Sequence, residues 1–299
     1  MFLKQERKNG MRYGAVDIGT NSCRLLIAEA DAEKGLNPLH KELDTTRIGE
    51  GVNHSGLISA DAMERTIVTL RRFQEKMQEY GVEKHRAIAT SAVREARNGD
   101  DFVRRAWEES RMKVDIVKGE EEAGLSYLGV KQGLKLERSP LVVDLGGGST
   151  EFICPEEKLL LSLPMGAVRA TEADMYAAQI GELLAPLGKI KDQLLNRPLV
   201  LVGGTASTLA AVKLGMEEYN AELVHGAVLS RAEIGDLYNL LERMPISLRR
   251  RLPGLQPERA DIINKGTLIV LVIMEVLGEK EIIVSESDLL QGIIYLLMG

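Results

Sequence analysis

Long helices are predicted where apolar residues recur every three or four positions along an otherwise polar stretch. The clearest lies between Ser59 and Tyr80, where Ser59 is placed to cap the first turn and Gly81 stands just past the end. Its apolar positions are Met63, Ile67, Leu70, Phe73 and Met77. The same pattern predicts three further helices, over Glu120–Leu134, Arg231–Met244 and Glu258–Leu277.

Short apolar runs bounded by glycine or other small residues predict β-strands. Such runs are Ala87–Ala89, Leu199–Val202 and Glu281–Val284. The last run leads into a final helix that ends at Met298 and that Ser285 or Ser287 would cap. No apolar run reaches the roughly 18 residues of a membrane span, and the longest, Leu268–Met274, has the length of a core segment.

Two segments, 13–27 and 140–154, repeat one pattern: an apolar strand that ends in aspartate, a glycine-rich turn and a second strand. They are YGAVDIGTNSCRLLI and PLVVDLGGGSTEFIC. The matched pairs are Asp17 and Asp144, Gly19 and Gly146, Ser22 and Ser149, and Arg24 and Glu151. A second pair follows, because the strands Ala87–Ala89 and Leu199–Val202 both enter a turn of small residues that opens a helical segment. This repetition predicts a duplicated α/β fold.

Turns of this composition suit phosphate and a divalent cation. Glycine lets the backbone approach a ligand closely, so that successive N–H groups converge on a phosphate. An aspartate at the strand end can hold Mg²⁺ through water, since this ion keeps much of its hydration shell. One such hairpin is a weak signal, whereas two copies with aspartate at the same place predict phosphate-binding turns on both walls of a cleft.

Composition and charge narrow the function classes. The chain has 299 residues, 44% hydrophobic and 27% charged, which suits one large globular domain or two of about 150 residues. A net charge of −6 argues against a general nucleic-acid binder. The densest basic cluster, Arg249–Arg251, is more typical of a solvated helix end than of a phosphate site. Cys23 and Cys154 have no metal-ligand spacing and are expected to be buried, unpaired side chains.

The first ten residues, Met1–Gly10, are polar and basic with no apolar stretch behind them, which does not fit a secretory signal. Because Met11 directly precedes the first predicted strand, this segment is either a disordered arm or an over-extended start. We expect a cytoplasmic protein that binds neither nucleic acid nor membranes.

The motifs resemble those of one known family across the chain from Arg12 onward. They are DIGTNSCRLLI, TSAVREARN, GEEEA, DLGGGSTEF, GGTAST and ERADII. Together they are similar to the exopolyphosphatase/guanosine pentaphosphate phosphatase (Ppx/GppA) family, in a short two-domain form. The combination of DLGGGSTE with GEEEA is specific, while DIGTNS alone would mark only the wider actin-like group.

The resemblance implies a fold of duplicated actin-like (ribonuclease H-like) domains with the active site in the cleft between them. It places the first domain at 11–124, with a helix over 287–299 returning to it, and the second at 125–286. The implied activity is Mg²⁺-dependent, or dependent on another divalent cation. It removes the terminal phosphate from inorganic polyphosphate, from the stringent-response nucleotide guanosine pentaphosphate, or from both. A homodimer is left open.

The same resemblance assigns site residues. Glu122 and Glu151 are the implied catalytic carboxylates, and Asp144, Asp17 and Glu151 the implied metal-binding groups. Phosphate-binding positions are Thr20, Asn21, Ser22, Arg24, Arg94, Gly146, Gly147, Gly148 and Ser149, with Gly203, Gly204 and Thr205 bordering the substrate channel.

Each assignment has a structural alternative. Glu120, Glu121 and Glu122 begin a helix, where acidic residues are favoured by the helix dipole without any catalysis; the resemblance singles out Glu122 and leaves the other two structural. Arg24 and Glu151 could be exposed strand residues. His225 has no partner at ligand spacing and is expected to be a hydrogen-bonded structural histidine.

Two departures and two rival functions remain. The chain stops where long family members continue into a helical region, and Leu290 stands where relatives often carry arginine in S-x-x-G-L-R-E-G. A small-molecule kinase of the same fold is one rival. The other is a non-catalytic sensor that binds polyphosphate or guanosine phosphates. No Walker-type loop or nucleophile elbow supports a P-loop ATPase or a covalent serine mechanism.

Overall fold

The computed structural model describes residues 10–31 and 35–299, and the chain forms two β-sheets with helices packed on them. The expectation for the leading segment therefore lies outside the described residues, apart from Gly10. No helix in the described part of the chain is long and apolar enough to cross a membrane.

The first sheet has five strands in the order β3-β2-β1-β4-β5. Its strands are β1 (Arg12–Ile18), β2 (Cys23–Asp31), β3 (Gly35–Asp44), β4 (Lys84–Ala89) and β5 (Val114–Ile116). The pairs β1–β2 and β2–β3 are antiparallel, whereas β1–β4 and β4–β5 are parallel.

The second sheet has six strands in the order β10-β11-β9-β6-β7-β8. Its strands are β6 (Leu141–Leu145), β7 (Thr150–Cys154), β8 (Leu159–Leu163), β9 (Leu199–Val202), β10 (Val228–Ser230) and β11 (Glu281–Val284). The pairs β6–β7 and β7–β8 are antiparallel, and β6–β9 and β9–β11 are parallel.

The two sheets share one topology. The path β8-β7-β6-β9-β11 repeats β3-β2-β1-β4-β5 in both order and strand direction, and β10 adds an antiparallel edge strand to the second copy. This is the duplicated α/β fold that the sequence repeat predicts, in the two-sheet form that the family resemblance implies. The third strand of each copy, β3 and β8, is not among the predicted strands. β3 contains Pro38 and a register shift against β2 at Ile27/Ala28, so its hydrophobic alternation is weak.

Helices fill the connections between strands. The longer ones are α2 (Ala60–Glu79), α4 (Gly99–Ser110), α5 (Gly119–Gly133), α9 (Gly204–Lys213), α11 (Arg231–Arg243), α13 (Ile263–Leu277) and α14 (Leu289–Met298). The shorter ones are α1 (Val52–Ser55), α3 (Ser91–Glu95), α6 (Ala167–Glu172), α7 (Ala177–Leu183), α8 (Ala185–Gly188), α10 (Ala221–Val224) and α12 (Ile246–Arg249).

Three predicted helices are confirmed within a residue or two at each end: α2, α5 and α11. Ser59 caps α2 by accepting a hydrogen bond from the Ala62 backbone N, and the predicted apolar positions of α2 are all buried. In α11, Ser230 and Glu233 form a reciprocal capping box that defines its first residue.

Two predicted helix starts are wrong. The helix expected from Glu258 begins at Ile263, because Pro257–Arg259 forms a separate 3-10 turn. Neither Ser285 nor Ser287 directly precedes α14, which begins at Leu289. Instead the Ser285 hydroxyl accepts a hydrogen bond from the Ser287 backbone N (3.1 Å) and donates one to the Ser287 carbonyl (2.9 Å), so the two serines stabilise a turn.

The chain divides into two compact units. The first comprises the residues up to Gly129 together with Leu289–Gly299, and the second comprises Val130–Asp288. The domain boundaries predicted from the sequence, 124/125 and 286/287, stay predictions.

In the first unit, helices cover both faces of the sheet. One face packs against α2 and α4 through residues such as Phe73 and Phe102, and the other packs against α14 through Ile293 and Ile294. Successive strand residues divide between these faces, as the two-residue period of a strand requires. Val16 and Ile18 join the first cluster, and Ala15 joins the second. In the second unit, Val143 and Leu201 of the sheet pack with Ile269 and Ile273 of α13.

Candidate active site

The turn between β1 and β2 is fixed by backbone hydrogen bonds. The Gly19 N donates to the Ser22 carbonyl (3.0 Å) and closes the turn. The carbonyls of Thr20 and Asn21 accept hydrogen bonds from Gly49 N and Arg47 N, both at 2.9 Å. These bonds use the Gly19 amide and the carbonyls of Thr20, Asn21 and Ser22, so the amides of these last three residues are not used within the turn.

The turn between β6 and β7 is built in the same way. Gly146 N donates to the Ser149 carbonyl at 3.0 Å, the same distance as in the first copy. The Gly146 carbonyl accepts from Ala167 N (3.0 Å), and the Gly147 carbonyl accepts from Val168 N and Arg169 N. The start of α6 therefore holds this turn through its carbonyls.

The remaining amides of both turns have no acceptor in the described part of the chain. They belong to Thr20, Asn21, Ser22, Gly147, Gly148 and Ser149. Backbone N–H groups that do not bond within the protein can donate to a ligand, and successive ones form an anion-binding concavity. Each unit thus carries one turn suited to an anion such as phosphate.

The aspartates at the strand ends have different partners in the two copies. Asp17, which is 5% exposed, stands opposite Arg24 and accepts hydrogen bonds at Oδ2 from Arg24 Nε (2.9 Å) and Nη2 (2.7 Å). In the second copy, Asp144 stands opposite Glu151, and Glu151 also accepts from the Ser162 hydroxyl (2.8 Å). The second copy therefore places two carboxylates opposite each other where the first has an ion pair.

Glu122 and Arg94 come together in the first unit. Arg94 Nη1 lies 3.4 Å from Glu122 Oε2 and donates to the Val117 carbonyl at 2.8 Å. Both side chains are about one third exposed. Glu121 instead pairs with Arg86 (2.7 Å), as expected for a structural acid at the helix start. Thr20 connects this group to the turn, because its hydroxyl lies 2.9 Å from that of Ser91 at the start of α3.

The turn at the start of α9 requires glycine twice. Gly203 has φ +99°, and a Cβ there would come within 2.7 Å of the Leu145 carbonyl and 3.4 Å of Asp144 Oδ1. A Cβ on Gly204 would overlap the guanidinium of Arg259. Gly203 and Gly204 thus lie beside Asp144 and Arg259, and buried Thr205 follows them in α9.

Sequence reasoning missed Arg259 and Arg169 as candidates. Arg259 lies within the ERADII motif, which supported the family resemblance, but the sequence assigned no role to this arginine. Arg169 Nε donates to the Gly148 carbonyl (2.8 Å), a contact that no local pattern reveals because 20 residues separate the two along the chain.

His225 is a structural residue, as predicted. Its Nδ1 accepts from the Glu286 backbone N (3.1 Å), and its Nε2 lies 3.1 Å from the Gly133 carbonyl, to which it donates. Both ring nitrogens are used, which defines the Nε2–H tautomer. Cys23 and Cys154 are buried and unpaired, and burial raises the pKa of each thiol.

The fit of these residues to a divalent cation differs among the candidates. No group of three or more His, Cys, Asp or Glu side chains in the described residues is arranged to hold a metal ion. Opposed carboxylates such as Asp144 and Glu151 repel each other unless a cation lies nearby. Mg²⁺ is usually held by one or two carboxylates and several waters, so this pair fits it. The ion pair with Arg24 makes Asp17 a weaker candidate for direct contact with the ion.

Comparison with known proteins adds independent information. A sequence model described as the Ppx/GppA phosphatase family matches residues 26–299. "Exopolyphosphatase 2" of Mycobacterium tuberculosis strain H37Rv is 33% identical, and the match covers 96% of this chain and 99% of that protein. The "Bifunctional 3-dehydroquinate synthase/phosphatase" of Fusobacterium nucleatum subsp. nucleatum is also 33% identical over 96% of this chain. The match spans 46% of that longer relative.

Two solved structures of Aquifex aeolicus Ppx/GppA proteins are similar along the whole chain. The type II variant gives a TM-score of 0.86 at 30% identity, covering 97% of this chain and 100% of the other. A second crystal structure of the Aquifex family member gives a TM-score of 0.85 at 30% identity, covering 96% and 97%.

Proposed function

Because the chain belongs to the Ppx/GppA phosphatase family, we propose that it hydrolyses the terminal phosphoanhydride bond of inorganic polyphosphate, of guanosine pentaphosphate, or of both. The observation that carries this proposal is the pair of repeated turns with unused amides, each directly after a strand with an aspartate near its end. Anionic phosphate chains are the ligands that such amides bind best.

Substrate binding follows from the two turns. In the proposal, the amides of Gly147, Gly148 and Ser149 hold phosphate oxygens in the second unit. Those of Thr20, Asn21 and Ser22 do the same in the first unit. Arg24 adds positive charge beside the first turn, and Asp17 orients its guanidinium through two hydrogen bonds. Gly203, Gly204 and Thr205 border the rest of the phosphate chain, with Arg259 next to them.

In the hydrolytic step, Glu122 accepts the proton of the attacking water. A carboxylate in this role must be oriented and accessible, and Glu122 satisfies both conditions, since Arg94 contacts it and about one third of it is exposed. Glu151, supported by the Ser162 hydroxyl, positions the water. The leaving group is itself a phosphate, so positioning and neutralisation of charge contribute most of the rate.

Asp144 and Glu151 would hold the divalent cation. When bound, Mg²⁺ supplies positive charge to the phosphate oxygens and offsets the repulsion between these two carboxylates. We also propose a cytoplasmic location, because two buried, unpaired cysteines suit a reducing compartment.

The test is release of inorganic phosphate in Mg²⁺ from polyphosphate, guanosine pentaphosphate and ATP. We expect release from at least one of the first two, and a loss of about 10²- to 10⁴-fold in kcat for Glu122→Gln. The matched control is Glu121→Gln, one residue away and paired with Arg86, which should retain kcat within about threefold.

Other outcomes identify the rivals. Binding of polyphosphate without release, unaffected by either substitution, would indicate the non-catalytic sensor. Transfer of phosphate from ATP to a small acceptor would indicate the kinase. Equal losses in both glutamate variants would mean that Glu122 acts only through helix stability.

A further inference from the structure

We infer that Arg169 binds a phosphate oxygen of the substrate at the turn Gly146–Ser149 and sets the apparent affinity for the phosphate chain. This inference rests on the proposed function and deepens it. It adds a side-chain contact to a turn for which the sequence suggests only backbone donors.

Arg169 is attached to the turn at two points. Its backbone N donates to the Gly147 carbonyl (3.0 Å), and its Nε donates to the Gly148 carbonyl (2.8 Å). Because Nε is engaged, the plane of the guanidinium is oriented relative to the glycine backbone. A side chain held in this way loses little further conformational entropy when it contacts a ligand.

The terminal amino groups of Arg169 remain exposed and lack an acidic partner. No ion pair of Arg169 within 4 Å occurs in the described chain, whereas Arg94 and Arg197 each form one. Glu172 lies one helical turn further along α6 and borders the same opening without pairing with Arg169. A guanidinium with one neutral carbonyl contact and no counter-ion is suited to an anion.

The surrounding surface provides room for that anion. A cavity of about 390 Å³ opens over the turn and is lined by Gly147, Gly148, Val168, Arg169 and Glu172. The Gly147 and Gly148 amides have no acceptor in the described chain. Amide and guanidinium groups therefore border the same opening. Phosphate oxygens accept hydrogen bonds from both kinds of donor. A polyphosphate chain offers several oxygens to such a set, whereas a neutral ligand offers no charge to match it.

The experiment compares wild type with Arg169→Ala and Arg169→Lys on short-chain polyphosphate. We expect Arg169→Ala to raise KM on the order of tenfold with kcat changed less than threefold, as for loss of a charge-assisted contact to the substrate. Arg169→Lys should recover part of the loss, because lysine binds phosphate as a point charge without the two-pronged geometry of arginine. The control is Arg243→Ala, which removes an exposed arginine on α11 in the same unit.

A second measurement does not depend on turnover. The thermal midpoint of each variant is recorded with and without imidodiphosphate, whose nitrogen bridge resists hydrolysis. Wild type and Arg243→Ala should be stabilised by this ligand, and Arg169→Ala should be stabilised clearly less, while all three unfold at similar temperatures without it.

The outcomes separate this inference from the proposed function. If wild type neither hydrolyses polyphosphate nor responds to imidodiphosphate, the proposed function itself fails. If wild type does both and Arg169→Ala matches it in KM and in ligand-induced stabilisation, the role of Arg169 is overturned. A lower thermal midpoint of Arg169→Ala without ligand, combined with unchanged KM, would make Arg169 a structural support of the turn only.

Discussion

Gly166 shows how one missing side chain shapes the candidate site. A Cβ at this position would lie 2.5 Å from both the carbonyl carbon and the oxygen of Gly147. Gly166 has φ −154° and ψ 170°, which any residue can adopt, so backbone strain is not the reason for glycine. The reason is the close approach of two backbone segments, and backbone atoms cannot move aside as the end of a flexible side chain can.

We therefore expect Gly166→Ala to displace the glycine turn. Overpacking of this kind costs about 1–3 kcal/mol of folding free energy, and a misplaced turn should lower kcat/KM for polyphosphate by about tenfold or more. Urea unfolding and phosphate-release assays measure the two effects. The control is Gly181→Ala in α7, where nothing lies within 4 Å of the added Cβ; it should be neutral or stabilising by up to about 1 kcal/mol. Equal behaviour of the two variants would contradict the packing argument.

Glu233 contributes stability that depends on pH. Three groups contact this carboxylate at 2.8 Å: the Lys213 amino group, the Ser230 backbone N and the Ser230 hydroxyl. Together they lower the pKa of Glu233 from 4.5 to about 2, and Lys213 makes the largest contribution to this shift. A lowered pKa in the folded state means that the contribution is fully present above about pH 4.5. It is lost as the pH falls towards 2.

The measurement is the difference in urea midpoint between wild type and Glu233→Gln. We expect wild type to be the more stable at pH 7 and the difference to narrow between pH 5 and pH 3. Glu217→Gln, which removes an exposed glutamate elsewhere in the same unit, should give a small difference that does not follow this course. A pH-independent difference for Glu233→Gln would show that helix capping rather than charge dominates.

At the scale of elements, α14 depends on a close helix–helix contact. Gly292 faces α5, and a Cβ there would overlap the Leu125 carbonyl and come within 3.2 Å of Gly129 N. The rest of α14 buries Ile293 and Ile294 against the first sheet. Two features therefore determine the position of α14: its apolar face packs on the sheet, and a small residue lies where its backbone meets that of α5.

We expect Gly292→Ala to push α14 away from α5 and to destabilise the protein by about 1–3 kcal/mol. The readout is the free energy of unfolding, together with amide hydrogen exchange along α14. Leu296→Ala on the exposed side of the same helix should cost about 0.5 kcal/mol or less. Comparable losses for the two variants would mean that α14 tolerates a looser contact with α5.

The helix starts that sequence reasoning misplaced share a cause at this scale. Apolar spacing extends the predicted helix back to Glu258, but Pro257 and its neighbours form a 3-10 turn before Ile263. Ser285 and Ser287 match a cap signal, yet the Ser285 hydroxyl bonds to the backbone N and carbonyl of Ser287 instead of to the first turn of α14. Short polar side chains bond equally well within a turn or at a helix start, so local sequence does not decide between the two.

At the scale of the whole molecule, the proposed chemistry needs a divalent cation that the fold does not. Each unit has its own apolar core, and no group of three metal-ligating side chains in the described residues ties the fold together. We expect EDTA to abolish phosphate release and excess Mg²⁺ to restore it, while circular dichroism and the thermal midpoint change little. Release that persists at full rate in EDTA would contradict the assignment of Asp144 and Glu151 to a cation.

The sequence by itself determined what depends on residues close together in the chain. The repeated strand–turn–strand pattern predicted the two hairpins and the duplicated α/β fold, and the motifs indicated the family. That Asp144 lies opposite Glu151 was read from the structure. The two-residue period of a strand and the 3.6-residue period of a helix are local properties of the sequence. Strands and amphipathic helices can therefore be predicted before the tertiary structure is known. The catalytic and metal-binding roles carried by the resemblance stay predictions.

Only the tertiary structure decided contacts between distant residues. Arg94 meets Glu122 across 28 positions, Arg169 reaches Gly148 across 21, and Arg259 lies against Gly204. Gly166 and Gly292 are ordinary small residues in the sequence, and only the structure shows that a Cβ at either position would collide with another backbone segment. Such contacts depend on how helices and strands pack in space, and local spacing carries no information about that packing.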